Sequence, residues 1–284
     1  MKKIGFIDYY ISEWHANSYP KWIEEACKTL GADYKLSYAW AELDLSPKYN
    51  ETTEEWCARY GAEKCATIDE LCEKSDVIFI LAPSDPEKHL GYAEQALKYR
   101  KPTYIDKTFS PDLATAKKIF ELAETYGTPF FSCSALRYGE ELTTDFYCKE
   151  IIVTGSGSNL PEYIVHQAEM VVKKLGTGAE KIMAEQFGSQ THLHVSYSDG
   201  RVATMIFAPS IPFTVYMSGG GEAKPVYKPV RSEFFLALIT DIMRFFEEGT
   251  VSFDTAETLE VMRLREGAIG SLNALGQWID LPTL

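Results

Sequence analysis

The chain has 284 residues, of which 45% are hydrophobic and 24% charged, an ordinary balance for a globular protein with one large domain or two modest ones. The formal net charge of -13 argues against nucleic-acid and anionic membrane partners, because both would repel it. No apolar stretch approaches the roughly 18 residues that a membrane-spanning helix needs.

Six cysteines are scattered along the chain without the paired spacing of a zinc ribbon or a secreted disulfide scaffold. The N-terminal stretch has no apolar core of the signal-peptide type. We therefore expect reduced thiols in a cytoplasmic protein.

The first part of the chain alternates strand-like and helix-like segments. "KKIGFID" predicts a buried strand, and "YPKWIEEACKTLG" predicts a helix that ends at Gly31. "DYKLSYAW" predicts a second strand, and "TTEEWCARYG" predicts a helix capped by Thr52 or Thr53.

The alternation continues through a short apolar run at residues 77–81, which predicts a strand buried on both faces. "PEKHLGYAEQALKYRKPTYID" and "DLATAKKIFELAETYGTPFFS" each add a helix and a strand. This pattern predicts a Rossmann-like, doubly wound parallel α/β domain over residues 1–125, which would bind ligands beyond the carboxyl ends of its strands.

The second part, residues 126–284, has a different rhythm. One helix, residues 160–175, is followed by short alternating segments that glycine, Asp-Gly or proline separates, and two helices close the chain. This order predicts an α+β domain with an open, mostly antiparallel sheet.

Several stretches in sequence resemble the Gfo/Idh/MocA family of NAD(P)-dependent sugar and polyol oxidoreductases. "LAPSDPEKHLGYAEQALKYRKPTYIDKTFS" is similar to its strand ending in Thr-Pro, its histidine-led helix and its Glu-Lys-Pro element. "TYGTPFFSCSALRY", the helix "PEYIVHQAEMVVKKLG" and the C-terminal tail match the family in the same order. The resemblance covers most of the chain and identifies it as a divergent member.

The resemblance implies a catalytic set of Lys107, His166 and Glu162. Oxidation of a hydroxyl requires removal of its proton, and a lysine near a cationic nicotinamide can have its pKa lowered for that task. A histidine can relay the proton, and a carboxylate four residues earlier shares its helix face. Plainer interpretations stay open: a surface pair with Asp106 for the lysine, a half-buried structural histidine, and a first-turn acidic residue.

The resemblance also implies NAD or NADP as cofactor, with Pro83, His89 and Asp106 on the cofactor side and Arg137 on the substrate side. The implied substrate is a small carbohydrate-like molecule. The family further implies a homo-oligomer formed through the C-terminal sheet.

The turn after the first strand departs from the family. Alignment on Gly5 puts Asp8, Tyr10 and Glu13 at the three positions where a dinucleotide-binding turn has glycines. A tyrosine obstructs the approach to a pyrophosphate, and two carboxylates repel it. Glu42 and Asp44 are candidates for the acidic residue that binds the adenosine ribose.

The same turn is rich in groups that suit a ligand. We expect Asp8, Tyr9 and Tyr10 to face the cofactor position and His15 to face the substrate. Two other interpretations stay open, namely a metal held by Asp8, Glu13 and His15, and an acidic, aromatic plug of an empty site.

Three functions follow from these features. The first is hydride transfer between NAD(P) and a sugar or polyol hydroxyl. The second is a cofactor-independent enzyme acting on carbohydrates, such as an isomerase or lyase, with or without a metal. The third is a non-catalytic protein that binds a small ligand.

Overall fold

The computed structural model describes residues 1–221 and 224–284, which divide into two compact units. The first unit contains Met1–Cys133 and Phe235–Phe253, and the second contains Ser134–Phe234 and Asp254–Leu284. The boundary expected at residue 125 falls inside a helix, and the strand that follows this helix still pairs with the first sheet.

The first unit is built on a six-stranded parallel sheet in the order β3-β2-β1-β4-β5-β6. Its strands are β1 (Lys2–Asp8), β2 (Tyr34–Ala41), β3 (Glu63–Lys64), β4 (Val77–Ile80), β5 (Thr103–Ile105) and β6 (Phe130–Phe131). The helices between them are α1 (Trp14–Leu30), α2 (Thr53–Tyr60), α3 (Ile68–Lys74), α4 (His89–Ala96) and α5 (Leu113–Tyr126). The predicted doubly wound parallel sheet is confirmed.

Local signals explain several of these boundaries. Gly31 ends α1 with a φ of 66°, a left-handed conformation that glycine adopts without strain. Thr52 begins α2 through a reciprocal capping box with Glu55. Gly5 lies in β1 because a Cβ atom there would collide with Leu71 and Ser75, which pack against the strand.

The second unit contains a seven-stranded sheet in the order β12-β11-β7-β10-β9-β8-β13. Its strands are β7 (Glu150–Gly155), β8 (Ala179–Phe187), β9 (Gln190–Tyr197), β10 (Val202–Phe207), β11 (Thr214–Ser218), β12 (Val226–Pro229) and β13 (Ile279–Asp280). The later helices are α6 (Leu160–Leu175), α7 (Phe234–Glu248) and α8 (Ala256–Ser271). All neighbouring pairs are antiparallel except β7 and β10, so the predicted mostly antiparallel sheet is confirmed.

The segment Phe235–Phe253, which holds most of α7, belongs to the first unit, whereas the sequence placed it in the second. The physical reason is aromatic packing. Phe245 lies 5.1 Å from the ring of Phe131 in β6, and Phe246 lies 5.3 Å from Phe79 in β4. Phe245 and Phe246, both in α7, are buried.

None of the helices in residues 1–221 and 224–284 combines the length and apolarity that crossing a membrane requires.

The six cysteines are all buried thiols. Burial raises the pKa of Cys72 to about 12, which keeps this thiol protonated and unreactive.

Candidate functional site

Two buried carboxylates of the first unit lie at the carboxyl edge of the parallel sheet. β1 lies between β2 and β4, the position at which such sheets form a ligand crevice. Asp8 ends β1, Ala82 and Pro83 follow β4, and Asp106 follows β5. Because these strands are parallel, the four residues lie at one edge of the sheet.

Asp8 fixes two backbone turns at this edge. One carboxylate oxygen, Oδ1, accepts hydrogen bonds from the amides of Tyr9 (2.7 Å) and Ala82 (3.1 Å). Ala82 has a φ of 59°, a left-handed conformation that costs energy in a residue with a side chain. Within the described residues, the second oxygen of Asp8 is buried without a hydrogen bond.

Burial and the nearby charge of Glu13 raise the pKa of Asp8 well above its usual value. The folded state therefore favours the protonated form of Asp8. Its contribution to stability is fully present below the unfolded pKa of about 4, and it is lost as the pH rises through the folded pKa. We expect Asp8→Asn to raise the free energy of unfolding at pH 7 by on the order of 1 kcal/mol, because the amide oxygen still accepts both N–H groups. The gain should shrink towards pH 4.

Chemical denaturation of the full chain at several pH values measures this effect. Asp44→Asn is the matched control, because Lys64 lowers the pKa of Asp44 and the variant should gain nothing at pH 7. An Asp8→Asn variant that is less stable than the wild type at pH 7 would show that the buried charge is needed.

A buried cluster joins α1 to the end of β5. Nδ1 of His15 contacts Oδ2 of Asp106, and the hydroxyl of Tyr19 lies 2.8 Å from the same nitrogen and 3.3 Å from the same oxygen. His15 is 5% exposed, and Tyr19 and Asp106 are fully buried. The cluster links two segments that lie 91 residues apart in the sequence.

The charge of Asp106 decides which side chain donates the hydrogen bond in its contact with His15. Burial alone would raise the pKa of Asp106, but His15 and Lys107 outweigh it and hold the pKa below its usual value. An ionised Asp106 only accepts hydrogen bonds, so Nδ1 of His15 is the donor in this contact.

Lys107 follows directly and is half-buried. Its amide donates to Oδ1 of Asp106 at 2.8 Å, and its ammonium lies 3.4 Å from the carbonyl oxygen of Pro83. The lysine is thus held between the ends of β4 and β5, with Asp106 bracing its backbone. Lys107 therefore contacts Pro83 and Asp106, two residues that the sequence analysis placed on the cofactor side.

His89 has an internal role in the structure. Its ring bridges the carbonyl oxygens of Leu81 and Phe109, and the residue is fully buried, which lowers its pKa. The ring therefore ties the end of β4 to the loop after β5, and its predicted contact with a cofactor stays a prediction.

The two tyrosines of the first turn differ in exposure. Tyr9 is half-buried with Lys88 Nζ 4.5 Å from its ring centre. Tyr10 is 7% exposed, and burial raises its pKa. Tyr10 therefore fills the turn from inside, where a dinucleotide-binding turn has a glycine.

In the second unit, α6 carries both predicted helix residues. Nδ1 of His166 lies 2.7 Å from the hydroxyl of Ser134, and His166 is half-buried. Glu162 stands in the first turn, where its carboxylate accepts hydrogen bonds from Ser158 and from the capping residue Asn159. The plainer interpretation of Glu162 thus has direct geometric support, while its catalytic role stays a prediction.

Arg137 is 2% exposed and lies between two carboxylates of the same unit. Its Nε is 3.2 Å from Glu169 of α6, and its Nη2 contacts Glu257 of α8. Glu169 also accepts the amide of Ser134 at 3.0 Å. Arg137 therefore joins α6 and α8, and its contact with a substrate stays a prediction.

The open interpretation of a metal at Asp8, Glu13 and His15 is not supported. No group of three or more histidine, cysteine or acidic side chains within residues 1–221 and 224–284 is arranged to hold a metal ion. The carboxylate of Glu13 instead accepts backbone amides of α1, and Nδ1 of His15 contacts Asp106.

Sequence reasoning missed several residues of these clusters. Tyr19, Ser134 and Glu169 were not singled out, because each contacts a partner that is distant in the sequence, which for Tyr19 is Asp106. The spacing of His15 and Tyr19 by one helical turn was an available signal for the first of them.

The architecture is a two-unit fold in which a parallel Rossmann-like sheet is accompanied by a mostly antiparallel sheet. The structure is similar over 98% of both chains to a probable dehydrogenase from Thermotoga maritima, with a TM-score of 0.81 and 11% identity. It is also similar to a myo-inositol dehydrogenase from Corynebacterium glutamicum, with a TM-score of 0.77 and 10% identity over 100% of this chain and 99% of the other. At these identities the likeness shows the fold.

Sequence comparison matches part of the chain to an oxidoreductase family. Residues 43–132 match the GFO_IDH_MocA family, described as an oxidoreductase family with an NAD-binding Rossmann fold. A stretch of 66 residues is 35% identical to the uncharacterized oxidoreductase YhhX of Escherichia coli K12, covering 22% of this chain and 19% of that protein. The resemblance to the Gfo/Idh/MocA oxidoreductases is confirmed over residues 43–132, a stretch that includes Pro83, His89, Asp106 and Lys107.

The residues of the first turn do not suit the dinucleotide that the family match implies. The N-terminus of α1, where such folds bind the pyrophosphate, is occupied by the carboxylate of Glu13. Glu42 does follow β2, but it is engaged with Lys88 (2.6 Å) and the hydroxyl of Tyr92 (2.8 Å). The pyrophosphate position of this chain therefore does not fit a phosphate group as it stands.

Proposed function

We propose that the protein is an oxidoreductase of the Gfo/Idh/MocA type that acts on a hydroxyl group of a sugar or polyol. The observation that carries this proposal is the position of Lys107 at the carboxyl edge, within the segment that matches the family. The fold shared with a myo-inositol dehydrogenase supports the substrate class. NAD or NADP is the hydride acceptor that the family match implies.

In this proposal, Lys107 in its neutral amine form takes the proton of the substrate hydroxyl and becomes the ammonium. Asp106 holds the lysine backbone and His15 in place. His166 stays the proposed relay and Glu162 the proposed substrate contact. No step is assigned through the dinucleotide, because the α1 N-terminus does not fit its pyrophosphate.

The test is a substrate screen with the purified full-length protein. Hexoses, inositols and linear polyols are supplied with NAD or NADP, and nicotinamide absorbance is followed, while titration calorimetry measures binding of each coenzyme. We expect reduction of at least one coenzyme by at least one polyol. Absence of coenzyme binding up to millimolar concentration would contradict the proposal.

A cofactor-independent enzyme acting on carbohydrates is the second candidate. The observation that favours it is the carboxylate of Glu13 at the α1 N-terminus, which competes with a pyrophosphate. Conversion of a sugar without added coenzyme, detected by chromatography of the same reaction mixtures, would select this candidate.

We also propose that the protein forms a homo-oligomer in the cytoplasm. Ile152, Tyr216 and Tyr227 are cross-strand neighbours on β7, β11 and β12. Ile152 is 39% exposed and Tyr227 is 66% exposed, so this row presents apolar surface that a second copy can cover.

Six thiols without a disulfide in the described residues are typical of a reducing compartment.

A further inference from the structure

The N-terminus of α1 has an internal partner. Glu13 precedes the helix, and its carboxylate accepts hydrogen bonds from the amides of His15 (2.8 Å) and Ala16. Glu13 is 3% exposed, so the contact is shielded from water. Amides at this end of a helix are the groups that hold a phosphate in dinucleotide-binding folds.

The turn that carries Glu13 is fixed from both sides. The hydroxyl of Ser12 donates to Glu51 at 2.6 Å, and the hydroxyl of Ser46 donates to the carbonyl oxygen of Ser12 at 2.6 Å. Ile11 and Ser12 are each 1% exposed. The turn backbone is therefore held in place, and the side chain of Glu13 is the part that must move to free the amides.

The electrostatics of this edge are also unfavourable to phosphate. Asp8, Glu13 and Asp106 are buried carboxylates that act on one another, and the charge of Asp106 adds to the burial that raises the pKa of Glu13. Lys88, a cation of the same region, is paired with Glu42. A pyrophosphate would add negative charge to this group.

We infer that Glu13 is an internal ligand at the phosphate-binding position of this fold, so that a dinucleotide binds the chain only in competition with its carboxylate. The inference rests on the proposed function, since it concerns the coenzyme of that reaction. It assigns to Glu13 a role that limits coenzyme affinity, and it predicts that removal of the side chain opens the site.

The experiment compares NADH and NADPH binding by calorimetry to the wild type, Glu13→Gly and Glu13→Ser. Glycine is an acceptable N-cap and leaves the two amides free, while serine keeps a cap without the charge. We expect Glu13→Gly to bind at least one coenzyme about tenfold or more tightly than the wild type, because charge-assisted hydrogen bonds to phosphate become available. The serine variant should show a smaller gain, and added salt should reduce both.

Asp112→Gly is the matched control. Asp112 caps α5 in the same unit with a carboxylate that accepts the amide of Thr115 at 2.7 Å. Its removal should leave coenzyme affinity at the wild-type value.

The outcomes separate the inference from the proposed function. Equal micromolar affinity in wild type and both Glu13 variants overturns the inference and leaves the function standing. Binding that appears only in the variants supports the inference and overturns coenzyme-dependent activity of the wild type. Absence of binding in all folded proteins, checked by circular dichroism, overturns both, and a gain in the Asp112 control also overturns the inference.

Discussion

Lys107→Met is expected to lower the turnover of any substrate found in the coenzyme screen by about a hundredfold or more, because general acid–base groups contribute on the order of 10² to 10⁴ in rate. Methionine keeps an unbranched apolar stem that ends at the position of the lysine Cε, and it removes the amine. Because Lys107 is half-buried at the carboxyl edge, with its amide held by Asp106, the backbone should be unaffected. Steady-state kinetics measure the effect, which should fall mainly on kcat.

Lys107→Arg distinguishes proton transfer from positive charge alone. A guanidinium stays protonated at every practical pH, so this variant should be as inactive as Lys107→Met. Lys28→Met is the control, because Lys28 is 73% exposed on α1 and pairs only with the exposed Glu24 in the described residues. Recovery of activity in Lys107→Arg would replace the proton-transfer role with an electrostatic one, and unchanged turnover in Lys107→Met would remove Lys107 from the mechanism.

Glu169→Leu should lower the free energy of unfolding by about 1–3 kcal/mol, because it removes one of the two carboxylates that pair with the buried Arg137. Arg137 is 2% exposed, and this change leaves its Nε without the carboxylate 3.2 Å away. The amide of Ser134 loses its acceptor as well. Urea-induced unfolding of the full chain measures the loss.

The double variant Arg137→Leu with Glu169→Leu should be less destabilised than Glu169→Leu alone, because the buried guanidinium is removed and Glu257, which loses its contact with Arg137, is 22% exposed. Asp280→Asn is the control from the same unit. Its pair with Lys181 is exposed at 3.5 Å, so its removal should change stability by less than about 1 kcal/mol. A Glu169→Leu variant as stable as Asp280→Asn would show that Glu257 alone compensates Arg137.

The predictions that succeeded depended on short-range signals. The helix at residues 160–175 was predicted with the bounds that α6 has, since its apolar spacing lies between Asn159 and Gly176. The cap at Thr52 and the end of α1 at Gly31 follow from the same local chemistry. The buried run that became β4 is apolar throughout, which marks a central parallel strand.

The candidate site could be predicted only in part. Lys107, Asp106 and Pro83 were expected at one edge, and the parallel register of β4 and β5 places them there. The obstruction of the first turn was also expected from Tyr10 and Glu13 at glycine positions. That Glu13 would act as the cap of α1 was not, because glutamate is not among the residues that usually cap helices.

The sequence by itself determined the strand and helix order, the two sheet types and the loss of the glycine turn, since each depends on neighbours within a few residues or on hydrophobic periodicity. The tertiary structure alone decided that His15 meets Asp106, 91 residues away, and that Phe235–Phe253 returns to the first unit. Both depend on which strands become neighbours in the parallel sheet and on which aromatic side chains fill its faces. Those contacts are set by packing across the whole unit, so no local pattern contains them.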